Sequence, residues 1–245
     1  MTALCLAGAG EAAEFAAFLA RLLRWDRAAV VRLRAAGPAL AVFGRPPFGP
    51  VLAVRTLELS QPAQLDTTVS AGQLLDGIDE DAATGAVPPG VTGPSWAGLL
   101  PPRGGWQRVA DLDAASLREA AAGVIAEFRA RSETPAADHR TRAELDVLAE
   151  ELWSRPFSGT ALPLRAVHAA HALGFLRPLP VPLSVSVAGP PASADAQAGA
   201  SAERPALLAA GPWLRLRTAF GSVVIRSGGG AGPGAGLGLS VTLTG

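Results

Sequence analysis

The chain has no lysine, no tyrosine and no asparagine, and all 21 of its basic residues are arginine. Methionine occurs once. The missing residues are those whose codons are rich in A and T, so the bias belongs to a high-GC genome rather than to a site. Its chemical consequences hold all the same. Without lysine there is no Walker-type phosphate loop, no Schiff-base amine and no kinase-type lysine. Without tyrosine there is no phenolic acid or base. The single cysteine, Cys5, excludes an internal disulfide and a multi-cysteine zinc centre, and is compatible with a reducing compartment. No apolar run reaches the ~18 residues that span a bilayer. The first ten residues lack the positive region of a secretory signal. A cytoplasmic protein with no membrane association is expected.

What is present is enough for a folded body. The chain has 245 residues, 49% of them hydrophobic, which supports one large domain or two small ones. Positive and negative residues balance at 21 each, which argues against a strongly basic nucleic-acid coat. A short strand over residues 2–6 leads to Gly8-Ala9-Gly10 and then to a helix with Phe15, Phe18, Leu19, Leu22 and Leu23 on one face. The glycine spacing imitates a dinucleotide fingerprint. The strands that follow are punctuated by Gly37-Pro38 and by a Gly/Pro-rich stretch over 44–50, without the second helix of a βαβ unit. A glycine-started helix docked on a sheet is the plainer reading. Residues 29–35, 39–43 and 51–59 read as a three-stranded antiparallel meander, and 70–78 as a short helical piece. Asp76, Asp79, Glu80 and Asp81 lack the order of a calcium loop and read as a solvated acidic turn.

The stretch on which the chain is organised is Leu99-Leu100-Pro101-Pro102-Arg103-Gly104-Gly105-Trp106-Gln107, the end of a long irregular crossing over 82–107. Prolines stiffen it, glycines loosen it, and between them an arginine and a tryptophan can stack on each other or grip a partner. Three helices follow. The first is capped by Asp113, with Leu112 and Leu117 as a staple. The second opens on the capping box Thr141-Arg142-Ala143-Glu144. The third runs over about 162–173 and is ended by Gly174. Strands are expected over 181–187, 213–218, 222–226 and 237–244, with flexible loops over 188–205 and 228–236. Gly37-Pro38 and Gly211-Pro212 each precede a strand, an echo that ordinary turn chemistry also explains.

No complete catalytic constellation emerges. Ser95 misses the nucleophile-elbow spacing by one residue. His168 and His171, three apart on the third helix, have the spacing of metal ligands but neither an HExxH pattern nor a cysteine beside them, so a partly buried structural pair is expected. No cofactor and no metal are called for. The sharpest positive signal is arginine alternation. Arg32 and Arg34 share one pleat face, as do Trp213, Arg215 and Arg217. If those strands are neighbours, four guanidinium groups and an indole line one surface fit for phosphate, carboxylate or a stacked base. A solvated face with its arginines paired to Glu58, Glu203 or helix carboxylates is the competing reading.

The LPPRGGW loop (100–106), the LPLRAVHAAHALGFL helix (162–176) and the WLRLRTAFGSVVI hairpin (213–225) together resemble an uncharacterised protein family of high-GC Gram-positive bacteria. The likeness covers most of residues 15–226 and implies lineage, with no activity attached.

These observations lead to an α+β fold: an antiparallel sheet built from N- and C-terminal strands, with the central helices packed against it. The division expected is 1–110 (helix, meander, long loop) and 111–245 (three helices, C-terminal strands), or one intertwined domain. Functionally, a non-catalytic binding or accessory protein is expected, using Arg103, Trp106 and the faces of Arg32, Arg34, Trp213, Arg215 and Arg217. Its partner would be a protein or an anionic small molecule. The alternatives are a winged-helix-like DNA regulator over 141–226, and a small-molecule or nucleotide-binding enzyme using the histidines or the Gly8–Gly10 turn. Oligomeric state is left open.

Overall fold

The structure, a computed structural model, describes residues 3–133, 141–178 and 204–226. Its fold is α+β, and its main sheet is antiparallel and six-stranded. The sheet runs in the order β2 (Val30–Gly44), β3 (Val51–Ser70), β9 (Gly221–Arg226), β8 (Trp213–Thr218), β7 (Ala206–Ala210) and β6 (Gln107–Asp111). Strands from both ends of the chain therefore share one sheet. A second, three-stranded sheet joins β1 (Ala3–Cys5), β5 (Thr84–Ala86) and β4 (Ile78–Asp79). The expected strands over 181–187 and 237–244, and the loop over 228–236, lie outside the described residues.

The helices cover one face of the main sheet. In α1 (Ala9–Trp25), Phe15, Phe18, Leu19 and Leu22 are buried, as their 3.6-residue spacing requires. Each such side chain contributes roughly 1.5–3 kcal/mol when fully removed from water. The short α2 (Ala71–Asp76) is capped by Ser70. In α3 (Ala114–Glu133), the Asp113 carboxylate accepts from the backbone N–H and the hydroxyl of Ser116. The Thr141/Glu144 capping box starts α4 (Arg142–Ser154). α5 (Leu164–Ala172) lies deepest. Ala166, Val167, Ala169 and Ala170 are all inaccessible, packed between α3, α4 and strands β3, β8 and β9. Alanine there lets the helix backbone come close to the sheet. Gly174, with φ +72°, ends it in a left-handed turn.

Two expectations about the first strands are corrected. The meander of three strands is a hairpin of two long ones, because Gly37-Pro38 is a bulge and not a turn. Gly37 pairs with Ala63 and Ala39 with Glu58, so four residues of β3 stand opposite Pro38 alone. β2 is an edge strand, where proline's missing donor costs the sheet nothing. The bulge bends the hairpin and sends its far half away from the plane of the other strands.

The opposite sheet face is not left open. A strap, residues 87–106, crosses it with one turn of 3₁₀ helix (Ser95–Gly98). Trp96, Leu100 and Trp106 pack there, with Trp213 from β8, on Phe43, Leu52, Val54 and Val224, a core separate from that under the helices. The central LPPRGGW stretch is thus the end of a cover laid on the sheet.

Candidate functional site

Beneath the end of the strap lies a cleft of about 330 Å³. Its floor is the outward pleat of β2 and β3, with Ala36, Ala39, Ala41, Phe43, Val54 and Thr56, continued by Val224 of β9. Pro101 and Pro102 form one wall. Three guanidinium groups line it, from Arg34 on β2, Arg103 on the strap and Arg215 on β8, together with the Trp106 indole. No carboxylate is among the described residues that line it.

Each charged group is held by the local structure. The Trp106 indole N–H donates to the carbonyl of Pro102 at 3.0 Å, which ties the strap end into a tight loop across Gly104 and Gly105. Gly105 has φ +77°, a conformation that few other residues adopt. The Arg215 guanidinium carbon lies 5.7 Å from the centre of the Trp106 ring, within cation–π range. Burial, and then the neighbouring charge of Arg217, push the Arg215 pKa below its ordinary value. A guanidinium nevertheless stays charged in proteins, so the group is a cation at neutral pH.

Within the cleft the hydrogen-bond inventory is incomplete at two points. Nε of Arg34 and Nε of Arg215 are both buried with no hydrogen-bond partner among the described residues, a condition shared elsewhere by Arg55 Nε and one Glu11 oxygen. Arg32 Nε donates to Asp66 Oδ1 at 2.7 Å, while Arg34 Nε stands 3.6 Å from Oδ2, an ion pair beyond hydrogen-bond range. The Arg32 hydrogen bond, with the charges of Arg32, Arg34 and Arg103, holds the Asp66 carboxyl below its usual range. Among the described residues no carboxylate forms an ion pair with Arg103 or Arg215. Buried donors without partners are uncommon in folded proteins, and each calls for a reason.

The residues expected at a site divide accordingly. Arg34, Arg103, Trp106 and Arg215 meet in the cleft. Arg32 is occupied by Asp66, and Arg217 lies beside Arg215 without lining the cleft. Trp213 faces a second hollow across the strap, about 320 Å³, with Leu52, Trp96 and Leu99 and with Arg45 and Arg226 at its margin. The strands of Arg32/Arg34 and of Arg215/Arg217 are not neighbours, since β3 and β9 lie between them. The strap and the bend of β2 bring Arg34 and Arg215 to one cleft instead. Asp66 on β3, and not Glu58 or a helix carboxylate, pairs with Arg32 and Arg34; Glu203 lies outside the described residues.

Other candidates find structural places. His168 stacks on Trp153 with centroids 4.4 Å apart and packs against Phe48 at 4.7 Å. Burial, then the charge of His171, lower its pKa to about 4, so the ring is neutral at pH 7. His171 is exposed. His168 lines a hollow of about 340 Å³ with Asp146, Glu150 and Arg165, but His171 does not join it. No group of three or more potential metal ligands occurs among the described residues. Gly8 is extended at the α1 N-terminus, and β1 pairs antiparallel with β5, so no βαβ phosphate turn forms there. Glu11 in the first turn of α1, one carboxylate oxygen buried, would repel a pyrophosphate. The winged-helix expectation is corrected as well. A recognition helix must present an exposed face, and α5 is packed into the core. No described helix is long and apolar enough to cross a membrane.

Fold and cleft define an α+β protein with an arginine–tryptophan cleft under a strap. Residues 1–98 match the model of a domain of unknown function (DUF8010) and residues 101–230 match a second, DUF8185. The second match spans more than half of the chain, and the protein belongs to that family. No curated protein matches, and no solved structure does. The two matched regions meet inside the strap, so the cleft lies on their seam. Its floor and Arg34 come largely from the first region, while Arg103, Trp106 and Arg215 come from the second.

Proposed function

We propose that this is a non-catalytic cytosolic binding protein whose arginine–tryptophan cleft takes an anionic small molecule. The observation that carries the reading is the pair of buried, unpartnered Nε–H groups of Arg34 and Arg215 beside a cleft that no carboxylate lines. An anion there would supply the missing acceptors and offset the desolvated charge of Arg215, a contact stronger than a neutral hydrogen bond. Trp106 gives the cleft a rigid aromatic wall at little entropic cost. Among the described residues no nucleophile, base or metal set stands near these groups, which favours binding over catalysis. The single cysteine favours a reducing compartment, and the lysine-free composition a high-GC bacterial source.

Thermal melts at constant ionic strength test this, with inorganic phosphate or simple carboxylates compared with chloride. A ligand that binds only the folded state stabilises it by about 2.7 kcal/mol at one hundred times its Kd. The wild type is expected to gain melting temperature with at least one anion beyond the chloride control. Arg215→Gln and Arg103→Ala are expected to lose that gain. Equal responses to all salts, or a gain that survives in both variants, would remove the cleft from the function.

A further inference from the structure

We propose that the ligand is a dianion, two carboxylates joined by an apolar spacer, with one end on Arg34 and the other on Arg215. This rests on the reading of the cleft as an anion site and narrows it to a chemical class. The unpartnered atom is Nε in both arginines. Nε and the adjacent Nη form the side edge of the guanidinium, one of the planar forks that a carboxylate meets with two parallel hydrogen bonds. Both guanidinium groups line the one cleft, so each can meet one carboxylate of a ligand, Arg34 with Asp66 standing 3.6 Å from its Nε.

The two arginines stand on separate strands. Arg34 stands opposite Asp66, beyond the bulge of β2, whereas Arg215 stands opposite Val224, which in turn pairs with Leu52 near the start of β3. Along the floor between them come Ala36, then Ala39 and Ala41 after the bulge, then Phe43 beside Val54. Arg34 and Arg215 rise from strands separated by β3 and β9, with this apolar floor between them, an arrangement that suits two linked carboxylates. The intervening surface is alanine, phenylalanine and valine, with Thr56 its one hydroxyl, and so suits a methylene or aryl spacer. Arg103, exposed and close enough for its charge to act on Asp66, supplies a third cation at the Arg34 end.

Calorimetric titration of the full chain decides the matter, using succinate, adipate, suberate and sebacate beside monocarboxylates of matched length and inorganic phosphate. The expected result is that the best-fitting dicarboxylate binds at least about tenfold more tightly than its monocarboxylate partner. Arg34→Gln and Arg215→Gln should each bring it down to the monocarboxylate level. If Arg215→Gln fails to fold, Arg34→Gln carries the test alone, since its side chain is a quarter exposed on the bent part of the hairpin. If dicarboxylates bind no better than monoanions while phosphate or a monocarboxylate still binds through Arg215, the dianion is wrong and the anion cleft stands. If no anion binds at all, both are wrong.

Discussion

Lowering the pH from 7 to 4.5 should weaken the fold through one side chain, His168. Its ring is stacked on Trp153 and packed against Phe48, and burial, with the His171 charge, lowers its pKa from 6.5 to about 4. Between those values the unfolded chain binds a proton that the folded chain refuses, so stability rises with pH across this window and falls as pH drops through it. The whole shift would be worth ~3.4 kcal/mol at 1.36 kcal/mol per unit, of which ~2.4 kcal/mol is lost between pH 7 and 4.5 because the folded pKa is about 4. The ring is partly solvated in the hollow it shares with Asp146, Glu150 and Arg165, so we halve this to ~1 kcal/mol. For a chain of this size that is ~2–4 °C in Tm. The assay is urea denaturation at pH 7, 6, 5 and 4.5 for the wild type and His168→Phe, which keeps an aromatic ring on Trp153 but cannot be protonated. Carboxylates held below their usual range, such as Glu14 and Asp66, titrate in both proteins and cancel in the difference. Parallel stability–pH curves for the two proteins would refute the burial argument.

Two further substitutions probe the packing. Arg55 is 7% exposed, donates to the Phe220 carbonyl and lies 3.8 Å from Glu14. Arg55→Met keeps most of the stem but leaves that carbonyl unpaired, a loss of ~2 kcal/mol. Glu14 contributes little to it, since Arg177 still holds that carboxylate. A change under ~0.5 kcal/mol in urea melts would show that the buried guanidinium's desolvation cancels its contacts. Gly221 has φ +150°, and a Cβ there would meet the Phe175 ring at 2.6 Å. Gly221→Ala should cost ~3 kcal/mol or more, by backbone strain and by displacing a ring that stacks on Phe18. A Tm within ~2 °C of wild type would contradict that.

Much of the helical half was legible because its signals are local. The Thr141/Glu144 box, the Asp113 cap and the Gly174 stop each act within one turn of the chain, and each occurs as the residues specify. The sheet was harder. Gly37-Pro38 satisfies the chemistry of a turn and of an edge-strand bulge equally well, and only the pairing partner decides. β6 (Gln107–Asp111) and β7 (Ala206–Ala210) carry no alternation, because their setting is supplied by strands far away in the sequence. The floor of the cleft did leave a trace that was missed. Residues 39–43 and 51–54 are apolar at nearly every position, the pattern of strands covered on both faces. A one-sided sheet would have alternated. That run already required something to lie across the outer face, and the strap with its Trp96, Leu100 and Trp106 is what does. The meeting of Arg34 with Arg215 left no local trace, since it depends on a bulge and on two intervening strands.

The all-arginine composition bears on what the proposed anion would gain in this cleft. A lysine as enclosed as Arg215 could relieve its desolvation by giving up its proton, since burial shifts an ammonium readily. Arginine has no such escape, because its delocalised guanidinium stays protonated in proteins. The desolvation cost therefore remains in the empty protein, offset in part by the Trp106 ring and increased by Arg217. If the cleft takes an anion, as proposed, its arrival would recover that cost as affinity, which follows whenever binding removes a penalty that the free protein already carries.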